Sequence, residues 1–297
     1  MKPAKNISQL IGNTPLVEIH LPELPAHVTL LAKLEGNNPG GSVKDRPAYY
    51  MIQRALQRGD INSSTRLVEA TSGNTGIALA MAAASFGLNI TLTMPENSTQ
   101  ERIDTMRAFG ATVILTDEAG AIELSRTVAD DMVKKEGYVM LDQFGNPDNY
   151  QAHYHGTGPE IWRDTEGTIT HFVSSMGTTG TIMGNSMFLK EQNPAIRIVG
   201  VQPDEGSSIP GIRKWSPEFL PAIYDPRRVD EIRFVTKDDA ADMSRRLARE
   251  AGIFAGMSSG GAALAAIRLA RELDQPATIV TIVCDRGDRY LSSGLFS

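Results

Sequence analysis

Short apolar segments alternate with helix-like segments over most of the chain, and this alternation restricts the possible folds more than any other feature. Strands are predicted where short runs are rich in β-branched and aliphatic side chains. The predicted strands are 66–70, 90–94, 112–115, 170–175, 196–203 and 277–285. The predicted helices are 75–86, 98–109, 120–135, 180–192, 238–251 and 259–273. Such alternation is typical of parallel sheets covered by helices, so the predicted fold class is α/β.

Two irregular segments interrupt the alternation. After residue 144 the sequence becomes rich in Asn and Pro, which predicts a loop there and divides the chain into two α/β lobes. The segment 203–236 is long and rich in proline, as functional loops often are. The apolar stretch 77–95 is divided by Gly87 and Asn89 into a small-residue helix and a strand, which favours a buried α/β unit over a membrane span.

Composition and charge exclude several classes of function. The 297 residues carry a formal charge of −6 and no basic run interleaved with aromatic residues, so we expect no nucleic-acid partner. The basic N-terminus lacks the apolar run of a signal peptide. The single cysteine, Cys284, excludes an intramolecular disulfide framework and suits a reducing cytoplasm. The five histidines have no metal-ligand spacing, so we expect no metal.

One lysine follows a glycine-rich turn at a predicted loop-to-helix junction. Lys44 comes after Pro39-Gly40-Gly41-Ser42, and Pro47 is typical of a first helical turn. Three more segments begin as loops rich in Gly, Ser and Thr and open predicted helices: 69–78, 174–184 and 256–266. The backbone N–H groups and hydroxyls of such loops can bind anions at a helix N-terminus.

Taken one at a time, these features have ordinary structural explanations. A single Gly/Ser/Thr loop is most often an N-cap, and a single lysine is most often a solvated surface charge. No loop has the Walker A pattern or the dinucleotide-binding pattern G-x-G-x-x-G. Two anion-binding loops and one lysine together indicate a cofactor phosphate, a substrate carboxylate and an imine. This combination predicts pyridoxal 5'-phosphate and an amino-acid substrate.

The same motifs resemble those of a known family, the cysteine synthases (O-acetylserine sulfhydrylases) of the fold-type II pyridoxal-phosphate enzymes. The matching motifs, in order, are "IGNTPL", "KLEGNNPGGSVKDR", "EATSGNTGIALA", "GTGPEIW", "SSMGTTGT", "GMSSGG" and "DRGDRYLS". They run nearly from end to end. The segments "HFVSSMGTTGT", "VQPDEGSSIPGIRKW" and "CDRGDRYLS" are more similar to the B isozymes of the family than to the A isozymes.

The resemblance implies a fold and a site. It implies a smaller lobe, 37–145, a larger lobe formed by 1–36 plus 146–297, and a cofactor in the cleft between them. Lys44 would bind the cofactor as an imine, Asn74 would bind its 3′ oxygen, and Ser258 would lie at its pyridine nitrogen. The residues implied for its phosphate are Gly177, Thr178, Thr179, Gly180 and Thr181. The residues implied for the substrate carboxylate are Thr71, Ser72, Thr75 and Gln143.

The reaction implied is a ping-pong β-replacement. The acetyl group of O-acetyl-L-serine would be replaced by sulfide or thiosulfate, giving L-cysteine and acetate, in a cytoplasmic homodimer. Alternatives are an O-phosphoserine-dependent cysteine synthase, a fold-type II serine or threonine dehydratase, and a binding protein without catalysis.

Four further residues have more than one possible role. Arg213, with Lys214, is either a surface charge or a group that attracts an anionic co-substrate such as thiosulfate or a phosphorylated serine. His155 is predicted to be a loop residue without a catalytic role. The resemblance places Cys284 near the pyridine ring, where it is predicted to be an inert buried thiol; the alternative is an oxidation-sensitive neighbour of the cofactor.

Overall fold

The protein divides into two compact units. The computed structural model describes residues 3–297; Met1 and Lys2, part of the predicted segment 1–36, lie outside the described residues. The first unit contains Lys44–Asn149 and the N-terminal segment through Ile11, and the second contains Gly12–Val43 and Tyr150–Ser297. These bounds differ from the predicted lobes 37–145 and 1–36 plus 146–297, which stay a prediction.

The described residues form ten strands and nine α-helices. The strands are β1 (Leu16–Glu18), β2 (Val28–Leu34), β3 (Arg66–Ala70), β4 (Asn89–Pro95), β5 (Thr112–Thr116), β6 (Val139–Met140), β7 (His171–Ser175), β8 (Arg197–Pro203), β9 (Glu231–Val235) and β10 (Ala277–Val283). The helices are α1 (Asp45–Arg58), α2 (Asn74–Phe86), α3 (Gln100–Ala108), α4 (Ala121–Glu136), α5 (Pro147–Ala152), α6 (Gly158–Asp164), α7 (Gly180–Gln192), α8 (Lys237–Ala251) and α9 (Met257–Ala270). A π-helical turn, His153–Thr157, connects α5 to α6.

The first unit contains a four-stranded parallel sheet in the order β5-β4-β3-β6. Helix α2 is apolar on all sides because its sequence is rich in alanine, and nine of its residues are buried. On the α4 side, Val68 and Ala70 of β3 pack against Ala129 and Met132. Both faces of β3 and β4 are covered, since every residue of each strand after the first is buried.

The second unit contains a six-stranded sheet in the order β1-β2-β10-β7-β8-β9. Only the β1–β2 pair is antiparallel among these strands. Neighbouring residues of β7 point to opposite faces, because Phe172 belongs to one buried cluster and Val173 to the other. The sheet is therefore covered on both sides, and the carboxyl end of β7 leads directly into the second polar loop described below.

The predicted fold class, with two bodies of mostly parallel sheet covered by helices, is confirmed. The predicted helix 180–192 has the same bounds in the structure. The prediction of a loop after residue 144 is wrong, because α5, the π-helical turn and α6 occupy most of 147–164. The segment 203–236 is irregular only as far as residue 230, since it ends in β9.

Candidate active site

Lys44 is placed by the start of α1 in the first unit. It occupies the N-cap position directly before Asp45, without a side-chain cap hydrogen bond, and it is half-buried. Its carbonyl oxygen accepts a hydrogen bond from Ala48 N at 3.0 Å. Asp45 and Arg46 beside it are buried. The lysine thus lies at the predicted loop-to-helix junction, on a backbone fixed by the first turn of a helix.

The segment 71–76 forms a polar loop between β3 and α2. Its start is fixed by Thr71 N, which donates to Thr93 O on β4 at 3.1 Å. Gly73 is the N-cap of α2 and supplies no side-chain cap, so the first N–H groups of the helix have no side-chain acceptor from that position. A Cβ at Gly76 would lie 2.6 Å from the terminal methyl of Met106 and 3.2 Å from Thr71 Cγ2, so glycine lets these two side chains pack closely on the first turn of the helix.

The same loop contacts Gln143, more than sixty residues further along the chain. Thr75 Oγ1 donates to Gln143 Oε1 at 2.8 Å, and both residues are buried. Asn149 Nδ2 donates to Gln143 O at 2.6 Å. The structure therefore brings together the residues predicted for the substrate carboxylate: Thr71, Ser72, Thr75 and Gln143. Hydroxyl and amide groups beside the start of a helix can bind a carboxylate.

A second polar loop, 176–181, lies between β7 and α7 in the second unit. Thr179 has a left-handed backbone with φ of 70°, which is rare for a β-branched residue and carries strain. Its buried Oγ1 has no hydrogen-bond partner among residues 3–297. A Cβ at Gly177 would lie 2.8 Å from the carbonyl oxygen of Gly211, so only glycine fits this turn. The backbone is thus strained to present the start of α7.

Ser258 lies beside this loop. It follows the N-terminal residue of α9 and is buried, and its carbonyl oxygen accepts a hydrogen bond from Ser175 Oγ at 2.7 Å. The Ser258 hydroxyl is also close to Gly211, since a Cβ built there would lie 3.4 Å from it. The end of β7, the start of α9 and the Gly211 segment therefore lie close together, which brings Ser258 near the loop that contains Gly177.

The irregular segment after β8 is attached to the second polar loop. Arg213 N donates to Met176 O at 2.8 Å, and Trp215 Nε1 donates to Gly177 O at 2.9 Å. The exposed Arg213 guanidinium lies 5.7 Å from the Trp215 ring. The Lys214 ammonium lies 5.2 Å from the Phe234 ring. The segment therefore presents two cations beside the loop predicted to bind phosphate.

Cys284 and His155 differ in setting. Cys284 is half-buried rather than fully buried, and its backbone N donates to Ser259 Oγ at 2.9 Å. His155 is exposed on the π-helical turn, where its ring contacts Tyr154 edge-on. Among residues 3–297, no group of three or more His, Cys, Asp or Glu side chains is arranged to hold a metal ion. Within the same range no helix is long and apolar enough to cross a membrane.

Sequence reasoning did not identify three residues that support these loops. Trp215 binds the backbone of Gly177, and the buried His153 contacts Thr181 Oγ1 through Nε2 at 3.4 Å. Glu69 is buried in β3 directly before the first polar loop. Only Glu69 has a clear signal in the sequence, because it is a charged residue within an apolar strand.

The second polar loop fits a phosphate group. Its unpartnered Thr179 hydroxyl, the hydroxyl of Thr178 and the start of a 13-residue helix all favour negative charge. Ser258 adds a neutral hydroxyl at the same place. A phosphorylated cofactor with a ring nitrogen can therefore be held by this set of groups.

The comparison with protein families agrees with this chemistry. Residues 7–285 match the family of pyridoxal-phosphate dependent enzymes, and the chain belongs to that family. The match confirms the predicted cofactor, pyridoxal 5'-phosphate, and the prediction that the protein is an enzyme.

Within the family the chain is similar to cysteine synthases. It is 60% identical to cysteine synthase B of Pseudomonas aeruginosa over 98% of this chain and 97% of that protein. It is 54% identical to cysteine synthase B of Escherichia coli over 98% and 95% of the two chains. The crystal structure of cysteine synthase from Entamoeba histolytica superimposes with a TM-score of 0.95 at 39% identity, covering 99% of this chain and 91% of that chain. These similarities confirm the predicted resemblance to cysteine synthases of the B type.

Proposed function

We propose that the protein is a pyridoxal-phosphate-dependent cysteine synthase that replaces the acetyl group of O-acetyl-L-serine with sulfide, giving L-cysteine and acetate. The observation that carries the proposal is the Thr75–Gln143 hydrogen bond beside the start of α2. It makes a compact carboxylate-binding cluster on the unit that also holds Lys44. The 60% identity to a cysteine synthase B supports the same reaction.

Each residue set has a defined part in the proposed reaction. Bound pyridoxal phosphate supplies an electron sink that acidifies the α-proton of an amino acid. Thr71, Ser72, Thr75 and Gln143 bind the substrate carboxylate and orient the α-carbon. The Lys44 amine binds the cofactor, then removes and returns the α-proton at Nζ. Asn74 binds the cofactor ring oxygen.

The second unit would hold the rest of the cofactor. Gly177, Thr178, Thr179, Gly180 and Thr181 bind its phosphate. Ser258 places a neutral hydroxyl at the pyridine nitrogen. Because the Ser258 hydroxyl is neutral, it would leave the pyridine nitrogen unprotonated, which makes the ring a weaker electron sink than an aspartate at this position would and suits loss of a β-leaving group. Elimination followed by addition is therefore the preferred course, and the kinetics are ping-pong.

Product analysis tests the proposal against its rivals. The holoenzyme, given O-acetyl-L-serine and sulfide, should release acetate and cysteine in equal amounts and make little keto acid without sulfide. Pyruvate formed from L-serine at a comparable rate without sulfide would identify a dehydratase instead. Faster turnover of O-phospho-L-serine than of O-acetyl-L-serine would replace the acetyl substrate by the phosphorylated one.

Arg213 is proposed to attract an anionic co-substrate. Its backbone N binds Met176 O in the loop that would hold the cofactor phosphate, and its exposed guanidinium lies 5.7 Å from the ring of Trp215, which binds Gly177 O of the same loop. Arg213→Ala should reduce kcat/KM for thiosulfate by about tenfold and leave that for sulfide nearly unchanged, as loss of one charge-assisted contact predicts. Equal losses with both donors, or no loss with either, would contradict this role.

The enzyme is further proposed to act as a cytoplasmic homodimer. The single cysteine suits a reducing compartment, and the dimer follows from the resemblance to cysteine synthases. Sedimentation equilibrium should give twice the mass of one chain. A monomer that retains full turnover would contradict the dimer.

A further inference from the structure

A buried glutamate directly precedes the first polar loop. Glu69 is the next-to-last residue of β3, only 4% exposed, and Thr71 follows two residues later. Its Oε2 atom has no hydrogen-bond partner among residues 3–297. Burying a carboxyl this deeply without an ion-pair partner lowers the stability of the folded state, so its presence calls for an explanation such as a functional role.

Glu69 faces the turn that carries Gln143. The backbone N–H groups of Asp142 and Gln143 donate hydrogen bonds to its carboxyl. Two charged side chains interact with the carboxyl electrostatically: Asp142 of the same turn and Arg126, which lies on α4. Burial, reinforced by the negative charge of Asp142, raises the pKa of Glu69 to about 8, whereas the two N–H groups and Arg126 act in the opposite direction. The carboxyl is therefore mostly uncharged at neutral pH.

The turn itself holds Gln143 in a constrained position. Asp142 has a left-handed backbone with φ of 52°, and its carbonyl oxygen accepts from Asn146 N at 2.9 Å. Its Oδ1 accepts from Phe144 N at 3.1 Å. Gln143 is further fixed by Asn149 at its carbonyl oxygen and by Thr75 at its side chain. The backbone N–H groups of Asp142 and Gln143 are held in addition by the Glu69 carboxyl.

We propose that Glu69 is a positioning residue, which holds the Asp142–Gln143 turn so that Gln143 stays paired with Thr75 for binding the substrate carboxylate. This inference rests on the proposed function, because it takes the Thr75–Gln143 cluster as the carboxylate site. Ionisation of Glu69 would place a charge in the core beside Asp142, and the turn would open to hydrate it. The apparent affinity for the amino-acid substrate should then fall as pH rises through about 8.

The test compares wild-type holoenzyme with Glu69→Gln between pH 6.5 and 9.5. Glutamine keeps the shape and a hydrogen-bonding oxygen but does not ionise. The ratio of the wild-type KM for O-acetyl-L-serine to that of the variant should be near one at pH 6.5. It should rise about tenfold by pH 9, since ionisation follows a factor of ten per pH unit above the pKa. The KM for sulfide should show no such difference between wild type and variant. Ionisation of the substrate amine affects both proteins equally at a given pH, so it cancels in the ratio of their KM values.

A second variant keeps the test decisive if Glu69→Gln does not fold. Asp142→Asn preserves the left-handed turn, which asparagine tolerates, and removes the negative charge that raises the Glu69 pKa. The alkaline rise in KM should then begin at lower pH than in the wild type. Asp131→Asn, an exposed change on α4, is the matched control and should leave the profile unchanged.

The outcomes separate this inference from the proposed function. Wild-type turnover with identical pH profiles of KM in Glu69→Gln and wild type would overturn the role of Glu69 and leave cysteine synthesis intact. If Glu69→Gln lowers only the amount of folded protein or of bound cofactor, and leaves the KM values for O-acetyl-L-serine and sulfide unchanged, Glu69 has a structural role only and the positioning role is overturned. Wild-type protein without cysteine synthesis would instead contradict the proposed function.

Discussion

At the scale of single residues, Thr179 of the second polar loop is a position where backbone and side chain have opposing requirements. Thr179 occupies a left-handed conformation that glycine adopts without strain, yet it carries a buried hydroxyl with no partner among the described residues. A residue kept against its backbone preference indicates that the side chain is needed. Binding of a cofactor phosphate accounts for both features.

Two substitutions at Thr179 separate backbone strain from the hydroxyl. Thr179→Gly and Thr179→Ala both remove Oγ1, but only glycine relieves the strain at φ of 70°. The free energy of unfolding of the cofactor-free protein should be higher for Thr179→Gly than for Thr179→Ala by about 1 kcal/mol. Both variants should bind pyridoxal phosphate about tenfold more weakly than the wild type, as loss of one hydrogen bond to a charged group predicts. Chemical denaturation and cofactor titration measure these quantities, and unchanged cofactor affinity would contradict the proposed role of the hydroxyl.

Glu69 shows the limit of residue-by-residue prediction. Its position before "TSGNTG" is visible in the sequence, but its neighbours Asp142 and Arg126 come from two other elements. Loop residues such as Thr75 and Ser258 were predictable because Gly, Ser and Thr loops before helices have a known chemistry. Groups behind a loop depend on tertiary packing, which no local pattern reveals.

At the scale of elements, the start of α9 is fixed by its packing on α8. A Cβ at Gly260 would clash with the Ala240 carbonyl oxygen and would lie 2.7 Å from Ser244 N, both backbone atoms of α8. At the neighbouring Gly261 a Cβ would meet side-chain atoms alone, those of Ile212 and Val235 at 3.2 Å and that of Ala240 at 3.6 Å. The close helix contact at Gly260 therefore sets where Ser258 lies.

The two glycines provide a matched pair of variants. Gly260→Ala should lower the free energy of unfolding by about 2 kcal/mol or more relative to Gly261→Ala, because overpacking against backbone cannot relax through rotamers. Both changes gain the same helix propensity, which cancels in the comparison. Urea denaturation of both variants measures the difference. Equal stabilities would show that the spacing of α8 and α9 is not set at Gly260.

The elements that sequence reasoning missed are those whose polar residues are satisfied from far along the chain. Strand β9 contains Arg233, which pairs with Glu272 at 2.6 Å. Helix α5 begins with Pro147, a residue that suits a first helical turn, but α6 begins with Gly158, a residue more common just beyond the end of a helix. A π-helical turn joins the two helices. The helix 180–192 was predicted with the right bounds because a Gly/Thr loop precedes it and Asn193-Pro194 follow it.

At the scale of the whole molecule, the second unit is assembled from two distant parts of the chain, Gly12–Val43 and Tyr150–Ser297. Lys33 of β2 is fully buried, and its ammonium contacts Glu160 at 2.9 Å and Asp164 at 3.3 Å. It also donates to Thr14 O at 2.6 Å. This buried ion pair joins the N-terminal part of the unit to α6.

Removal of the Lys33 charge should destabilise the fold strongly. Lys33→Met removes the ammonium from the buried Glu160 and leaves Asp164 with Arg163, so it should lower the free energy of unfolding by about 3–5 kcal/mol. The double variant Lys33→Met, Glu160→Gln should recover part of this loss, since glutamine still accepts the hydrogen bond from Asn13 N. The exposed pair Lys135–Asp131 is the control, and Lys135→Met should change stability by less than about 1 kcal/mol. A loss of similar size for Lys33 and Lys135 would contradict the assigned role of the buried pair.

The half-reaction without a sulfur donor tests the proposed cysteine synthesis most directly. Wild-type holoenzyme mixed with O-acetyl-L-serine alone should release about one acetate per cofactor, with a change in the visible spectrum of the cofactor that sulfide reverses while cysteine appears. Lys44→Ala should lower the rate of acetate release by about 10²–10⁴-fold, as expected for loss of a residue that moves a proton. Acetate release that requires sulfide would contradict the ping-pong reaction, and wild-type rates in Lys44→Ala would contradict the proton-transfer role of Lys44.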